Sequence, residues 1–341
     1  MRWILLATVA VIVAAVGLVA SLVYSGLHAP ADSPGRERVF TVMEGEPLYR
    51  VARRLDRAGL LPDRIGFRPG LLVWYARWQG LDRSVKSGEY DLSSAMTPVE
   101  ILEKLTSGEV KTYAVTFPEG LQIGEIAQRL AQAQIAPREA LEQAALSRDL
   151  ARSLGIQADS LEGYLYPETY RFRRGTPAED VLRGMVEQFF ASFTPEDRAK
   201  LEASGMTLHQ VVTLASIVEK ETGAAQERPL IAAVFRNRLQ KRMRLQSDPT
   251  VIYGILRSRG SFDGNLRKID LQTDTPYNTY TRGGLPPGPI ASASMDSIRA
   301  VLTPADARYL YFVSRNDGTH YFSNTLEQHA EAVRRFQLLR R

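Results

Sequence analysis

The segment from Trp3 to Tyr24 constrains the fold more than any other part of this 341-residue chain. Its 22 residues carry no charge, and about 20 apolar residues are enough for one helix to cross a bilayer. A signal peptide is the competing interpretation, since Ala29-Pro30-Ala31 loosely resembles a cleavage site. The apolar region of a signal peptide runs over only about 7–15 residues. We therefore expect a tail and retained anchor over residues 1–27, followed by a linker over residues 28–38.

The charges beside this segment say less about its orientation. Arg2 lies before it and Arg36 and Arg38 lie after it, so the positive-inside count is nearly balanced. A very short tail before a large folded part favours a cytoplasmic tail. We expect a single-pass protein of the cell (inner) membrane whose folded part lies on the periplasmic, extracytoplasmic side.

Composition excludes several function classes. The net charge of +5 and the pI of about 9.4 favour acidic surroundings, such as an anionic membrane surface or a wall polymer. The chain has no Lys/Arg-rich run with interleaved aromatic residues, so nucleic acid is not an expected partner. The absence of cysteine excludes disulfides, thiolate metal sites and a cysteine nucleophile. The four histidines show no metal-ligand spacing, so we expect neither a metal nor a cofactor.

Two segments of the chain repeat at an offset of 75 residues. Phe40-Thr41-Val42-Met43-Glu44-Gly45 and Val115-Thr116-Phe117-Pro118-Glu119-Gly120 each lead into an amphipathic helical pattern. Identical or apolar residues continue at matching positions as far as Pro62 and Pro137. Each copy therefore predicts a strand, a glycine turn and a helix.

Start signals predict several further helices and one hairpin. Thr97, Thr176 and Thr325 each begin a capping-box pattern. Asn316-Asp317-Gly318 separates two short strand patterns, 309–314 and 320–322, and has hairpin turn chemistry. Short strands mixed with helices, without regular alternation, indicate an α+β fold. We expect a small module over residues 39–115 and a larger domain over residues 116–341.

A carboxylate falls on the apolar side of one predicted helix, from Leu208 to Lys220. Thr207 and Gln210 form its capping box, and Gly223 is the expected stop signal. At about 100° per residue, Glu219 shares the face that should be buried, whereas Glu221 points about 200° away, toward solvent. Burial and the partial negative charge of the helix C-terminus should both raise the pKa of Glu219. A raised pKa suits a proton donor at neutral pH.

Residues suited to sugars surround this candidate in the sequence. The GxSxG elbow of serine hydrolases is absent, and Ser216 has no histidine partner nearby. Aromatic faces stack on sugar rings, and amide and carboxylate groups bond hydroxyl and acetamido groups. The substrate-binding candidates lie in three segments rich in such residues: Glu168, Gln246, Asp248, Tyr277, Asn278 and Tyr280.

Four motifs in order resemble the YceG-like family of endolytic murein transglycosylases. They are Ala215 to Thr222, Met243 to Gly254, Tyr277-Asn278-Thr279-Tyr280 and Gly284-Leu285-Pro286-Pro287-Gly288. Leu161 to Tyr170 fits the Pro-acid-Thr-aromatic motif of that family, with Glu168 at the acidic position, and the match loosens from Thr319 on. The resemblance implies that Glu219 is the catalytic acid/base.

The resemblance also implies a reaction, a substrate and partners. One glutamate would protonate the bond between N-acetylmuramic acid and N-acetylglucosamine. It would then take the proton of the muramic C6 hydroxyl, closing a 1,6-anhydro ring. The expected substrate is peptidoglycan, and the expected partners are peptidoglycan synthases whose nascent strands the enzyme terminates. Because Glu162, Glu168 and Asp248 could approach from elsewhere, a two-carboxylate muramidase stays open.

The first repeat copy resembles the LysM sugar-binding module. Phe40-Thr41-Val42, Gly45, Leu48, Val51 and Ala52 match its opening strand and first helix, and Lys86 to Leu92 looks like its closing strand. LysM-type domains grip N-acetylated glycan chains. A purely structural role for this unit stays open, as does a non-catalytic, membrane-anchored scaffold for wall synthesis.

Overall fold

The computed structural model describes residues 2–63 and 69–338, so residues 64–68 of the predicted module lie outside the described residues. The predicted α+β class is confirmed, because the described residues form many helices and three two-stranded sheets. The chain divides into two compact units, Met1–Tyr113 (unit 1) and Ala114–Arg341 (unit 2).

The apolar N-terminal segment forms one long helix, α1 (Arg2–His28). Its most apolar 18-residue window has a mean hydropathy of 2.7, and none of that window is buried. Within the described part of the chain it is the one helix long and apolar enough to cross a membrane. By length and composition it fits a single-pass anchor or a signal sequence.

Unit 1 is built on one antiparallel strand pair. After α1 its elements are β1 (Glu37–Val42), α2 (Leu48–Arg57), α3 (Pro69–Trp78), β2 (Gly88–Ser93) and α4 (Pro98–Ser107). Phe40 of β1 pairs with Tyr90 of β2, and both rings are buried. The buried apolar faces of the helices complete the core: Val51, Leu55, Leu72, Ile101 and Leu102. The predicted capping box of Thr97 and Glu100 is confirmed at the start of α4.

Unit 2 contains two short strand pairs and a set of packed helices. Its first half holds β3 (Tyr113–Thr116), α5 (Ile123–Gln132), α6 (Arg138–Ala145), α7 (Arg148–Ser153), β4 (Thr169–Phe172), α8 (Ala178–Ala191) and α9 (Pro195–Ala203). Its second half holds α10 (Leu208–Glu221), a 3-10 turn (Ala225–Glu227), α11 (Arg228–Gln240), α12 (Asp248–Arg259), α13 (Lys268–Gln272), α14 (Met295–Leu302), β5 (Tyr311–Ser314), β6 (His320–Ser323), α15 (Leu326–Val333) and a π-helical turn (Arg334–Leu338). β3 pairs with β4, and β5 pairs with β6. Helix α10 lies inside this unit and packs against α11, α12 and α14.

The internal repeat is confirmed in three dimensions. Helices α2 and α5 begin 75 residues apart and end 75 residues apart. Gly45 and Gly120 take φ values of 67° and 78°, so each turn uses the left-handed conformation that glycine adopts without strain. One copy lies in each unit.

Most predicted helix ends are confirmed, and two are wrong. The capping boxes at Thr207 and Thr325 are present, and the predicted hairpin forms between β5 and β6. Thr176 does not cap α8, because its hydroxyl donates to the carbonyl oxygen of Arg173 and Pro177 occupies the N-cap position. Gly223 is not a left-handed stop. Thr222 ends α10 in an extended conformation, and Gly223 instead allows close approach of the hairpin, since a Cβ there would lie 2.6 Å from the Gly318 oxygen.

Candidate active site

Helix α10 carries two carboxylates in its last turn. Every residue from Val211 to Val218 is buried, so neighbouring elements enclose this helix on all sides. Ser216 is part of that interior: its hydroxyl donates to the Thr213 oxygen at 2.7 Å and accepts the Ile290 amide at 3.0 Å. The two acids, Glu219 and Glu221, therefore leave the helix into different surroundings, and those surroundings decide what each can do.

Glu219 accepts hydrogen bonds from the start of helix α14. The backbone amide and hydroxyl of Ser294, the N-cap of α14, donate to Oε2 at 2.8 and 2.5 Å. The Arg228 guanidinium lies 3.3 Å from Oε1. Burial raises the pKa of Glu219, but the Ser294 hydrogen bonds and the Arg228 charge outweigh it and hold that pKa below its usual value. The predicted raised pKa of Glu219 is therefore wrong, because the sequence pattern does not show these three donors.

Among the contacts described, one side chain donates a hydrogen bond to Glu221. The hydroxyl of Ser247 donates to Oε1 at 2.6 Å, and the side chain stays partly exposed. Burial raises the pKa of Glu221 to about 7. The negative charge of Asp248 adds to this rise, whereas the Ser247 hydrogen bond and the Arg238 charge oppose it.

The prediction that Glu221 points to solvent is wrong for a specific reason. The helical wheel correctly places Glu221 away from Glu219. The face opposite Glu219 is not free, however, because α12 and the residues before it pack there. Glu221 is thus a part-buried carboxyl group whose raised pKa lets it be protonated near neutral pH, as a general acid requires.

Two of the predicted sugar-binding segments meet beside Glu221. The Ser247 amide donates to the Thr279 hydroxyl at 3.0 Å, and the Gln246 amide donates to the Thr279 carbonyl at 3.2 Å. The Tyr280 hydroxyl donates to Oδ1 of Asp248 at 2.6 Å. Gln246 itself is exposed and has a φ of 50°. The structure therefore brings Gln246, Asp248 and Tyr280 together near Ser247, and their contact with substrate stays a prediction.

Asn278 is held inside the protein by its own hydrogen bonds. It is fully buried, and its amide nitrogen donates to the carbonyl oxygens of Asp270, Leu271 and Thr273 at 3.3, 3.1 and 2.7 Å. Its side-chain oxygen accepts the Tyr280 amide at 2.8 Å. These bonds shape the loop that carries Tyr280, and the predicted contact of Asn278 with substrate stays a prediction.

Tyr277 belongs to a second cluster, around the buried acid Glu162. Its ring packs edge-on against Tyr253 with centroids 4.7 Å apart, and the Tyr253 hydroxyl donates to Glu162 Oε2 at 3.0 Å. Burial raises the pKa of Glu162 to about 7, although the Tyr253 hydroxyl and the Ile123 amide donate to it. Within the described residues, none of the hydrogen bonds of Tyr277 or Glu162 reaches Glu221. The hydrogen bonds described therefore do not join this cluster to Glu221.

Glu168 lies in the turn before β4. Its side chain is exposed, its carboxylate accepts the Thr169 amide at 3.2 Å, and its carbonyl accepts the Phe117 amide at 3.0 Å. Among the contacts described, none links Glu168 to Glu221 or Ser247. Its predicted contact with substrate stays a prediction.

Comparison with known proteins identifies the family. A model of the YceG-like family matches residues 40–335. The chain belongs to the YceG-like family. The predicted resemblance is thereby confirmed at the level of the family, whereas the LysM-like module is not.

Several relatives of this YceG-like chain carry a functional name. It is 30% identical over 327 residues to an endolytic murein transglycosylase of Bacillus subtilis, with 91% of this chain and 88% of the relative covered. It is 29% identical over 337 residues to one of Streptococcus pneumoniae serotype 2, covering 89% of this chain and 59% of the relative. The crystal structure of a putative yceG-like protein from Listeria monocytogenes aligns with a TM-score of 0.59 at 31% identity, over 87% of this chain and 99% of that one.

Sequence reasoning missed two parts of the site in this YceG-like chain. Glu221 was placed in solvent, and Ser247 was not singled out, although both lie within the family motifs. The usable signal was the Glu-x-Glu spacing itself, which puts acids on both faces of a helix that turns out to be enclosed. Arg238 gave no sequence signal. Its buried guanidinium donates to the carbonyl oxygens of Leu245 and Leu310 and so holds the loop segment before Ser247.

Proposed function

We propose that this chain is an endolytic peptidoglycan lytic transglycosylase. It would cleave the β-1,4 bond between N-acetylmuramic acid and N-acetylglucosamine within glycan strands and leave 1,6-anhydromuramic ends. Two of its relatives are named endolytic murein transglycosylases. The observation that supports the proposal is the carboxyl group of Glu221, which is part-buried beside the neutral Ser247 hydroxyl and whose pKa of about 7 suits proton transfer in both directions.

We propose Glu221 as the acid/base, and the catalytic role of Glu219 that the family resemblance implies stays a prediction, which the matched variants below test. The family resemblance pointed to Glu219, but three donors stabilise the ionised form of that group. These donors lower the pKa of Glu219 and so disfavour the protonated form that a general acid uses. Glu221 has one neutral donor and a neighbouring carboxylate, and burial raises its pKa to about 7.

The chemistry then needs one carboxyl group acting twice. Protonated Glu221 donates its proton to the glycosidic oxygen as the bond from that oxygen to C1 of the muramic residue breaks. Positive charge develops at C1, and the negative charge of Asp248 near Glu221 favours it electrostatically. Ionised Glu221 next removes the proton of the C6 hydroxyl while that oxygen bonds to C1. The anhydro ring closes, and the carboxyl group regains its proton.

Matched variants of the two glutamates test this assignment. We expect Glu221→Gln to lower the rate of cleavage of purified glycan strands by roughly 10²–10⁴-fold, the usual contribution of a general acid. Glu219→Gln should retain cleavage and lower thermal stability, because it loses the ion pair with Arg228. Circular dichroism and thermal melting establish that each variant is folded. If folded Glu221→Gln cleaves normally while folded Glu219→Gln is inactive, Glu219 is the acid.

Mass spectrometry of the products distinguishes this reaction from its alternatives. Anhydromuramic ends support the transglycosylase. Reducing muramic ends would indicate a muramidase that uses Asp248 as a second carboxylate. Binding of strands without turnover would indicate a glycan-binding scaffold.

We further propose that α1 is a retained anchor, with the folded units outside the cytoplasmic membrane, where nascent glycan and peptidoglycan synthases are found. Resistance to carbonate extraction tests the anchor, and protease access in intact spheroplasts tests the side.

A glycan-binding role for unit 1 belongs to the same proposal. A cleft of about 500 Å³ lies between the β1–α2 turn and the segment before β2, with the half-exposed ring of Tyr49 at its edge. Its lining includes Glu46, Arg77 and Lys86, which offer charged hydrogen-bonding groups to a polar chain. Reduced binding of glycan strands by Tyr49→Ala, with cleavage of short strands unchanged, would support this role.

A further inference from the structure

Helix α3 of unit 1 exposes two tryptophans on one face. Leu72 and Ala76 point into the core and are fully buried, whereas Trp74 and Trp78 are 56% and 70% exposed. The two indoles lie one helical turn apart and stack with centroids 6.4 Å apart and an interplanar angle of 2°. Large aromatic side chains exposed together on a folded surface mark a contact with something other than water.

These tryptophans lie beside the apolar helix α1. Together with Tyr75 they form one wall of a groove of about 770 Å³. The other wall consists of α1 residues between Ala15 and His28, including Val16, Val19 and Val23. The groove is predominantly apolar, and both walls belong to unit 1.

The position of the groove along α1 gives its depth in a bilayer. Val16 lies eight residues before Tyr24, the end of the uncharged segment. At 1.5 Å per residue this is about 12 Å, less than half of a hydrocarbon core of about 30 Å. If α1 spans the membrane, the groove faces the half of the bilayer next to the folded units. Trp74 and Trp78 then lie at the depth of the headgroups and upper acyl chains.

We propose that α3 is a second membrane contact, with lipid as the occupant of the groove between α1 and the Trp74–Trp78 face. This inference rests on the anchor assigned to α1 above. Indole rings prefer the boundary between headgroups and acyl chains, because their bodies are apolar and their N–H groups bond to water or headgroups.

The position of α1 favours lipid over a protein partner as the occupant of this groove. If α1 spans the membrane, acyl chains surround it along most of its length. Lipid then already fills the space beside the wall that α1 forms. A protein ligand would have to displace that lipid. Docking of α3 gives unit 1 two attachments and fixes its orientation on the surface, which a single helix and a linker do not.

Tryptophan fluorescence tests the proposal directly, because the chain contains three tryptophans and the third is Trp3 in α1. Trp3→Phe leaves Trp74 and Trp78 as the only indoles. The full-length variant is reconstituted into phosphatidylcholine vesicles with bromine at a shallow or a deep acyl position. We expect blue-shifted emission, loss of most of the signal with the shallow label, weaker loss with the deep label, and little quenching by aqueous iodide.

Three outcomes would overturn the proposal or its premise separately. Red-shifted emission quenched by iodide, in a chain that resists carbonate extraction, means that the anchor holds and α3 lies in water. Shielding from both bromine and iodide means that protein, such as a second copy, covers the face. Release of the chain by carbonate means that α1 is not an anchor, so the proposed membrane attachment fails before α3 is tested. Trp74→Ser with Trp78→Ser in the native Trp3 background is the matched control, since its emission then comes from α1 alone.

Discussion

The hydrogen bond from Ser247 to Glu221 gives a quantitative prediction. If Glu221 is the general acid, cleavage requires its protonated form, so kcat/KM should fall tenfold per pH unit above about pH 7. The Ser247 hydroxyl donates to the ionised form at 2.6 Å and lowers the pKa of Glu221. Ser247→Ala removes this donor and keeps the backbone amide that bonds to Thr279. The pKa of Glu221 should therefore rise. The alkaline limb of the pH–rate profile, which is the fall in kcat/KM at high pH, should move to higher pH by the same amount.

The size of the shift follows from the bond that is lost. Hydrogen bonds to charged groups contribute about 1.5–3 kcal/mol, and one pKa unit corresponds to about 1.4 kcal/mol. Water that enters the space of the missing hydroxyl offsets part of this contribution, so we expect an upward shift of about one pH unit. The cleavage rate at pH 8, expressed as a fraction of the same chain's rate at low pH, should then be about fivefold higher for Ser247→Ala than for the native chain. The assay is the rate of release of anhydromuropeptides between pH 5 and 9.

Ser294→Ala is the matched control for this experiment. It removes the hydroxyl that donates to Glu219 at 2.5 Å and also the N-cap of α14. We expect it to lower stability by about 1 kcal/mol and to leave the alkaline limb in place. If the alkaline limb moves in Ser294→Ala and stays fixed in Ser247→Ala, the group that titrates is Glu219. That result would refute the assignment of Glu221 as the general acid.

Two further predictions concern buried polar groups in unit 2. Asn278→Ala should lower the free energy of unfolding by about 1–3 kcal/mol, because three carbonyl oxygens lose their donor. An unchanged melting curve together with lost glycan binding would instead indicate that Asn278 contacts substrate. Glu162 has a folded-state pKa of about 7 against an ordinary 4.5, so its stabilising contribution is complete below pH 4.5 and is lost as the pH rises to about 7. Between pH 4.5 and 7.5, the unfolding free energy of the native chain should therefore fall by on the order of 3 kcal/mol more than that of Glu162→Gln. Urea titrations at several pH values measure it, and an equally steep fall in the variant would show that another group titrates.

Local patterns in the sequence were sufficient for much of the fold. The capping boxes at Thr97, Thr207 and Thr325 depend on contacts three residues apart, and all three form. The hairpin around Asn316 depends on a local turn with φ of 63°, and it forms as well. The failure at Thr176 has the same local character, because its hydroxyl finds the nearby Arg173 carbonyl instead of the helix.

The site could be predicted only in part, because it depends on contacts between distant segments. Ser247 reaches Glu221 across 26 positions of the chain, and Ser294 reaches Glu219 across 75. Helical periodicity gives the direction of each side chain but not what packs on either face. Asn278 shows the same limit: an amide in a tyrosine-rich loop suits a sugar, yet here it satisfies buried carbonyls.

The opposite states of Glu219 and Glu221 come from their partners and not from their helix. Both lie in the last turn of α10, so the partial negative charge of its C-terminus acts on both and disfavours ionisation of each. Glu219 overcomes this effect because it meets the positive N-terminus of α14 and a guanidinium. Glu221 does not, because it meets a neutral hydroxyl and lies near another carboxylate. One helix end can thus hold two acids of opposite pKa shift two residues apart. If Glu221 is the acid/base as proposed, Glu219 has a supporting role, since its bonds to Ser294 fix α14 to the last turn of α10.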